Sequence, residues 1–177
     1  MTGDMFGGQP VRTAKISDCG CYRYRLDRGW DARLPRVCFV MLNPSTADGT
    51  DDDATLRKIT AYAKAWGNGS LVVVNLFAWR SREPKALRQR GIDPVGGPVA
   101  DLHLRAALTE SDAVVCGWGG SVPPSSEARI SDVLAMIIRA GHEPMALAVT
   151  KSGAPGHPLY LPGALTPTSL AALRATT

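Results

Sequence analysis

The sequence predicts a three-layer α/β/α domain, with helices on both faces of a central, mainly parallel sheet of four strands, plus an N-terminal strand. Two observations favour this fold class. Four short apolar runs, each containing valine, alternate along the chain with segments of helical periodicity. Such alternation is typical of right-handed βαβ units, which form a parallel sheet between two layers of helices. The chain has 177 residues, 45% of them hydrophobic, and this length suits one domain.

The N-terminal part of the chain predicts two strands after a flexible segment. Residues 1–18 begin with a glycine-rich stretch, so we expect them to be flexible and the single domain to span residues 19–177. Tyr22–Leu26 alternates aromatic or aliphatic residues with arginine, which is the period of a strand. Val37–Leu42 is apolar at every position, as expected for a strand that is covered on both faces.

The remaining elements continue the alternation. Three aspartates at 51–53 precede a helical pattern that ends at Gly67, and carboxylates at this position favour a helix start. A second glycine, Gly141, ends another helical pattern. The predicted helices after residue 54 are 54–66, 99–109, 125–140 and a short one over 166–176, and the predicted strands are 70–77, 113–116 and 145–149.

Composition and charge limit the class of protein. No run of about 18 apolar residues occurs, and the N-terminus lacks the layout of a secretory signal, so we expect a cytoplasmic protein without a membrane partner. Lys+Arg number 20 against 16 for Asp+Glu, a net charge of +4, and fifteen of the basic residues are arginine. Arginine can hold phosphate bidentately, but the same composition also fits a GC-rich genome, so both interpretations remain open.

Cysteine spacing argues against a metal centre. The four cysteines are Cys19, Cys21, Cys38 and Cys116, and their spacing matches neither a zinc site nor a usual iron–sulfur set. Cys38 and Cys116 lie within apolar runs, where cysteine usually behaves as a small hydrophobic residue. We therefore predict four reduced thiols, no metal and no cofactor.

Polar residues follow the predicted strands, where ligands bind in sheets of this kind. Asn43 follows the first apolar run, and its carboxamide suits the orientation of a water molecule, although Asn-Pro-Ser is also common in turns. Asp48 is either a carboxylate base or the residue that forms an Asx turn. Asn75 ends the second run, where it either reads the edge of a pyrimidine or bonds to a nearby loop. His157 lies in a Gly-Pro-framed loop and suits stabilisation of a developing anion.

The segment Arg80–Arg90 holds the main local concentration of charge. It contains five positive residues and one negative residue directly after the Asn75 strand. It is either a phosphate-binding loop or a solvated excursion. The residues predicted to hold phosphate or nucleic acid are Arg80, Arg82, Lys85 and Arg88, together with Lys151.

The order of these motifs resembles that of the uracil-DNA glycosylase superfamily. VMLNPS is similar to the first motif of its mismatch-specific and thymine-DNA glycosylase branch, VVVNLFAW to the strand whose final asparagine binds the flipped base, and GHPLYLP to the closing histidine loop. The resemblance implies that Asn43 orients the attacking water, that Asn75 hydrogen-bonds the base and that His157 stabilises the departing base. It also implies a uracil-DNA glycosylase-like fold and DNA as a partner.

Further base contacts follow from the same resemblance. We expect Pro44, Ser45, Trp118 and Tyr160 to contact or stack on the base, with Trp79 as another stacking candidate. The segment MLNPSTAD, with YRYRLDRGWD before it, also resembles a bacterial and phage domain family of unknown function. Three functions stay open: an N-glycosidase acting in DNA repair or modification, a non-catalytic module that binds nucleic acid or a nucleotide, and an enzyme acting on free or phage-modified nucleotides.

Overall fold

The computed structural model describes residues 10–45, 47–81, 83, 87, 91 and 93–176. These residues form a mixed sheet of seven strands and four α-helices. The strands are β1 Val11–Ile16, β2 Arg23–Gly29, β3 Arg36–Met41, β4 Ser70–Asn75, β5 Ala113–Cys116, β6 Met145–Ala146 and β7 Thr168–Ser169. The helices are α1 Ala54–Ala65, α2 Gly97–Thr109, α3 Glu127–Arg139 and α4 Leu170–Ala175, and a 3₁₀ turn covers Pro158–Tyr160.

The centre of the sheet is parallel and its edges are antiparallel. The strand order is β1-β2-β4-β3-β5-β6-β7, and the pairs β4–β3, β3–β5 and β5–β6 are parallel. The chain passes from β3 to β4 on one side and then returns to β5 on the other side of β3. This reversal of direction makes the carboxyl end of β3 a topological switch point, which is where such sheets bind ligands.

Helices cover both faces of the central strands. Val37, Phe39 and Met41 of β3 pack in one buried cluster with the inner face of α1. The intervening residues, Cys38 and Val40, pack in the other cluster with α2 and α3. Successive side chains of a strand point to opposite faces, so an uninterrupted apolar run is what a strand between two helical layers requires.

The predicted α/β class is confirmed, but the prediction of four strands plus an N-terminal one is wrong. The predicted strand at Tyr22–Leu26 is observed as β2, and two strands were missed at the edges of the sheet. β1 is partly or fully exposed at every position and includes Lys15, and β7 has two residues, so neither edge strand has the apolar run that marks a central one. Within the segment expected to be flexible, residues 1–18, Val11–Ile16 forms a strand that pairs with β2 over six residues.

The predicted start and end of α1 are found in the structure. The side chain of Asp53 accepts a hydrogen bond from the Leu56 backbone N–H at 2.7 Å and so caps the helix. Gly67 follows the helix with φ of +79°, a conformation that glycine adopts without strain. No helix within the described ranges is long and apolar enough to cross a membrane.

Candidate functional site

A cavity of about 480 Å³ lies where β3, β4 and β5 end. Its size falls within the range of small-molecule sites. Six of the residues predicted from the sequence line it, namely Asn43, Ser45, Asn75, Trp118, His157 and Tyr160. The structure thus brings together residues that are up to 117 positions apart in the chain, from Asn43 to Tyr160.

Asn75 is the last residue of β4 and is buried, with 7% of its surface exposed. Neither its Oδ1 nor its Nδ2 has a hydrogen-bond partner among the described residues. The predicted alternative, in which this amide bonds to a neighbouring loop, is therefore not what the described chain shows. A buried amide without partners costs roughly 1–3 kcal/mol per unpaired group, which a ligand with a complementary edge would recover.

Asn43 is held by the loop that follows β4. Its Nδ2 donates to the carbonyl of Ser81 at 2.9 Å and to that of Pro44 at 3.2 Å. The backbone N–H of Ser81 in turn donates to the Pro44 carbonyl at 2.9 Å, which ties the two loops together. These bonds fix the amide plane, and Oδ1 remains the acceptor that a water molecule can use.

His157 has a defined donor and acceptor arrangement. Its Nδ1 accepts a hydrogen bond from the Leu159 backbone N–H at 3.3 Å, so in the neutral ring the proton lies on Nε2. Burial lowers the pKa of His157 below its ordinary value of 6.5, although the charge of Asp53 acts in the opposite direction. The side chain is therefore neutral near pH 7 and can donate a hydrogen bond from Nε2.

Two glycines allow the histidine loop to approach the end of β5. A Cβ on Gly117 would lie 2.9 Å from Cδ of Pro158 and 3.2 Å from the Met41 sulfur. Gly119 has φ of +76°, and its N–H donates to the Pro155 carbonyl at 2.9 Å. The Trp-Gly segment after β5 thus sets the position of His157.

Aromatic residues occupy two different parts of the cavity. Trp118 is 1% exposed and packs with the core on the α2 and α3 side of the sheet. Tyr160 is 82% exposed, and its ring centroid lies 5.4 Å from that of His157. Tyr160 is therefore the solvent-exposed aromatic residue of the cavity lining, and Trp118 is the buried one.

Two charged residues of the cavity were not predicted as site residues. Arg23 begins β2 and is buried, and Asp53 caps α1; both line the cavity. The sequence marked Asp53 only as a helix start and Arg23 only as part of an alternating strand. The run of three aspartates before α1 could have indicated Asp53 as a site residue. No local feature of the sequence indicated that Arg23 would face a cavity.

Several predicted residues lie elsewhere. Oδ1 of Asp48 accepts hydrogen bonds from the Thr50 hydroxyl and from the backbone N–H groups of Thr50 and Asp51, at 2.8 to 2.9 Å. These bonds lower the pKa of Asp48 to about 2, which favours the Asx-turn alternative over a base. Pro44 is buried and does not line the cavity, and Lys151 is exposed in a turn outside it.

The predicted basic loop is described only in part. Arg80 donates from Nη1 to the Gly20 carbonyl at 3.0 Å, and its Nε is buried without a partner in the described chain. Arg82, Lys85 and Arg88 lie outside the described residues. The prediction that this loop holds phosphate therefore remains a prediction.

All four cysteines are free thiols. Cys38 and Cys116 are buried, and burial raises the pKa of the Cys116 thiol to about 12. Cys19 is exposed near the turn between β1 and β2. Within the described ranges, no group of three or more His, Cys, Asp or Glu residues is placed to hold a metal ion.

Comparisons with known proteins identify the family but not an activity. A search of curated proteins gives no match. Among solved structures, hetero-hexameric glutamate dehydrogenase from Thermus thermophilus, in its leucine-bound form, matches with 15% identity and a TM-score of 0.35. The match covers 75% of this chain and 31% of that one, and a likeness at this score supports no statement about fold or activity. The family model described as "Protein of unknown function (DUF1643)" matches residues 23–159, and the chain belongs to that family.

Proposed function

We propose that the cavity binds a nucleobase and that the protein hydrolyses the N-glycosidic bond of that base. The observation that carries this proposal is the amide of Asn75, buried at the cavity with both polar atoms unpaired in the described chain. An amide offers a donor and an acceptor side by side, which is the pattern that complements the edge of a base. The motif resemblance to uracil-DNA glycosylases supports the same role for Asn75.

His157 is the group that assists departure of the base. When the bond from the sugar C1′ to the base nitrogen breaks, the electron pair stays on the base and negative charge spreads to its carbonyl oxygen. A hydrogen bond from the neutral Nε2–H to that oxygen stabilises the charge as it develops. Because Nδ1 already accepts a hydrogen bond from Leu159, the ring is held in the required tautomer.

Asn43 and Asp53 act on the water molecule that attacks the sugar. Oδ1 of Asn43 holds the water, whose oxygen bonds to C1′ as the base leaves. Asp53, the one carboxylate among the described lining residues, accepts the proton that this water loses. Asp53 takes over the role that the sequence offered to Asp48, whose side chain is occupied by its own loop.

The test is base release from defined substrates. The protein is incubated with oligonucleotides carrying uracil, mismatched thymine or modified bases, and with the corresponding free nucleotides, and free base and abasic sugar are measured. We expect release from at least one substrate, and we expect Asn43→Ala and His157→Ala to abolish it without loss of the fold. Binding without release from any of them would favour a non-catalytic module, and unchanged release in both variants would exclude this mechanism.

Asp53→Asn separates the charge of Asp53 from its structural role. Asparagine caps a helix about as well as aspartate, so stability should be retained. Loss of this carboxylate, the general base, should lower the rate at which the nucleobase is released by about 10²- to 10⁴-fold. Asp53→Ala is the control for the cap and should lower the free energy of unfolding by about 0.5–2 kcal/mol. Full activity in Asp53→Asn would rule out Asp53 as the general base.

A further inference from the structure

Arg23 faces the cavity because of an irregularity in β2. Lys15 of β1 pairs with Arg25 and the next residue, Ile16, pairs with Arg23, so Tyr24 is an extra residue with no partner across the pair. Without this bulge, Arg23 and Leu26 would point to opposite faces of the sheet. With it, both residues line the cavity. Bulges of this kind commonly redirect a side chain beside a functional site.

The guanidinium of Arg23 is buried and incompletely satisfied. The residue is 5% exposed, its Nη1 donates to the Ala47 carbonyl at 2.6 Å, and its buried Nε has no partner in the described chain. No described carboxylate forms a salt bridge with it; Asp53 acts on it only at longer range. A buried cation without an ion-pair partner is strongly unfavourable unless a ligand supplies the missing charge.

Arg28, on the same strand, is a buried arginine whose donors are paired within the protein. It is 4% exposed, and its Nε and Nη2 both donate to one carboxylate oxygen of Asp52, at 3.0 and 2.7 Å. Its Nη1 donates to the Asp27 carbonyl at 2.9 Å. Arg28 does not line the cavity, so the arginine with the unused donor is the one that faces it.

We propose that Arg23 binds the terminal phosphate of a free nucleotide whose base contacts Asn75, an inference that rests on the proposed function. A guanidinium with free donors matches a phosphate bidentately. The location favours a phosphate monoester over the phosphate of a polymer. A diester must continue as chain on both sides, whereas Arg23 lies in a wall formed by buried residues such as Leu26, Ala47 and Val73.

The test compares nucleosides with nucleotides on the purified full-length chain. Dissociation constants are measured by calorimetry for the four deoxynucleosides, their 5′-monophosphates and oligonucleotides containing the preferred base. We expect the preferred monophosphate to bind about 10- to 100-fold tighter than its nucleoside, as a charge-assisted contact implies. In Arg23→Met this ratio should fall to near one, with nucleoside affinity retained, and Arg23→Lys should give an intermediate ratio.

Arg28→Met is the matched control, since it removes a buried arginine from the same strand but outside the cavity. It should lower stability and leave the ratio unchanged. Equal binding of nucleoside and monophosphate by the unaltered protein, a ratio unaffected by Arg23→Met, or tighter binding of the oligonucleotide would each overturn the role of Arg23 while the base site stands. If nucleosides, monophosphates and oligonucleotides all fail to bind, the proposed function fails and this inference fails with it.

Discussion

Unpaired buried polar atoms are concentrated at the cavity, on Asn75 and Arg23. Seven buried side-chain nitrogen or oxygen atoms of the described chain have no partner, and three of them belong to these two residues. Buried polar groups in the rest of the molecule are more often satisfied, as where the Ser111 hydroxyl donates to the Ala107 carbonyl at 2.7 Å. Because each unpaired group is destabilising, a ligand that paired with these atoms would stabilise the fold.

Replacement of Asn75 by leucine tests this balance. Leucine has a similar shape and removes both unpaired polar atoms, so Asn75→Leu should leave the free energy of unfolding unchanged or raise it by about 1–3 kcal/mol. Binding of nucleosides should be lost. Urea denaturation and calorimetry measure the two effects. A loss of stability above about 2 kcal/mol would mean that the amide contributes to the fold, and the proposed base contact would then lack its support.

His157 makes stability depend on pH near neutrality. Its pKa is lowered by burial, so the unfolded chain, with a pKa near 6.5, binds more protons in the window just below pH 6.5. The contribution of His157 to stability should therefore be complete above about pH 6.5. It should be lost as the solution is acidified from there toward the pKa of His157 in the folded protein. Asp48, whose pKa is lowered to about 2, contributes a separate loss only in more acidic solution.

The measurement is urea denaturation between pH 5 and pH 8 for the unaltered protein and two variants. His157→Gln should remove part of the slope below pH 6.5. His103→Gln should remove another part, because burial also lowers the pKa of His103. An unchanged slope in His157→Gln would show that this histidine titrates as it does in the unfolded chain.

At the scale of elements, the approach of the histidine loop to the end of β5 shapes the site. The N–H of Gly117 donates to the Val40 carbonyl at 2.9 Å, which extends the parallel pairing of β3 and β5 up to the cavity. Pro158 packs directly on Gly117, and the N–H of Gly156 donates to the Ala148 carbonyl at 2.8 Å. The loop is thus supported from both β5 and the segment after β6.

A methyl group at Gly117 should displace this loop. Gly117→Ala places a Cβ within 2.9 Å of Pro158, so we expect a loss of about 1–3 kcal/mol in stability and a loss of nucleoside binding. Gly49→Ala is the control, because the nearest atom to its Cβ is the Ala14 backbone nitrogen, 4.0 Å away, and Gly49 does not line the cavity. The prediction fails if the two variants behave alike in denaturation and in calorimetry.

At the scale of the whole molecule, one aspartate joins the antiparallel edge of the sheet to the start of α1. Asp52 accepts from Arg12 of β1 at 2.9 Å and from Arg28 of β2 at 2.7 Å. Arg28 also donates to the Asp48 carbonyl at 2.6 Å, so the loop between β3 and α1 is held against β2. This contact ties the start of α1 and the loop before it to the antiparallel edge of the sheet.

Loss of the Asp52 charge should destabilise the whole domain. Asp52→Asn leaves the buried Arg28 without its charged partner, and breaking such a pair costs about 3–5 kcal/mol. Asp51→Asn, one position away and exposed, is the matched control and should change stability by less than about 0.5 kcal/mol. Equal stabilities of the two variants, measured by urea denaturation, would contradict this role of Asp52.

The amino-acid sequence alone could predict the α/β class, the central strands and the polar residues that end them. It could do so because a strand buried on both faces needs an unbroken apolar run, and parallel strands bring their carboxyl ends to one edge. Asn43, Asn75 and His157 therefore meet at the cavity, as their positions in the sequence predicted.

The charged groups that join them are set by tertiary packing. Arg23 enters the cavity through a bulge, and Asp53 through the position of α1 against the sheet, while the predicted Asp48 is occupied by its own turn. The edge strands β1 and β7 likewise have no local signal, because exposed positions accept almost any residue. Strand register and contacts between distant segments depend on packing, so hydrophobic periodicity within one segment does not predict them.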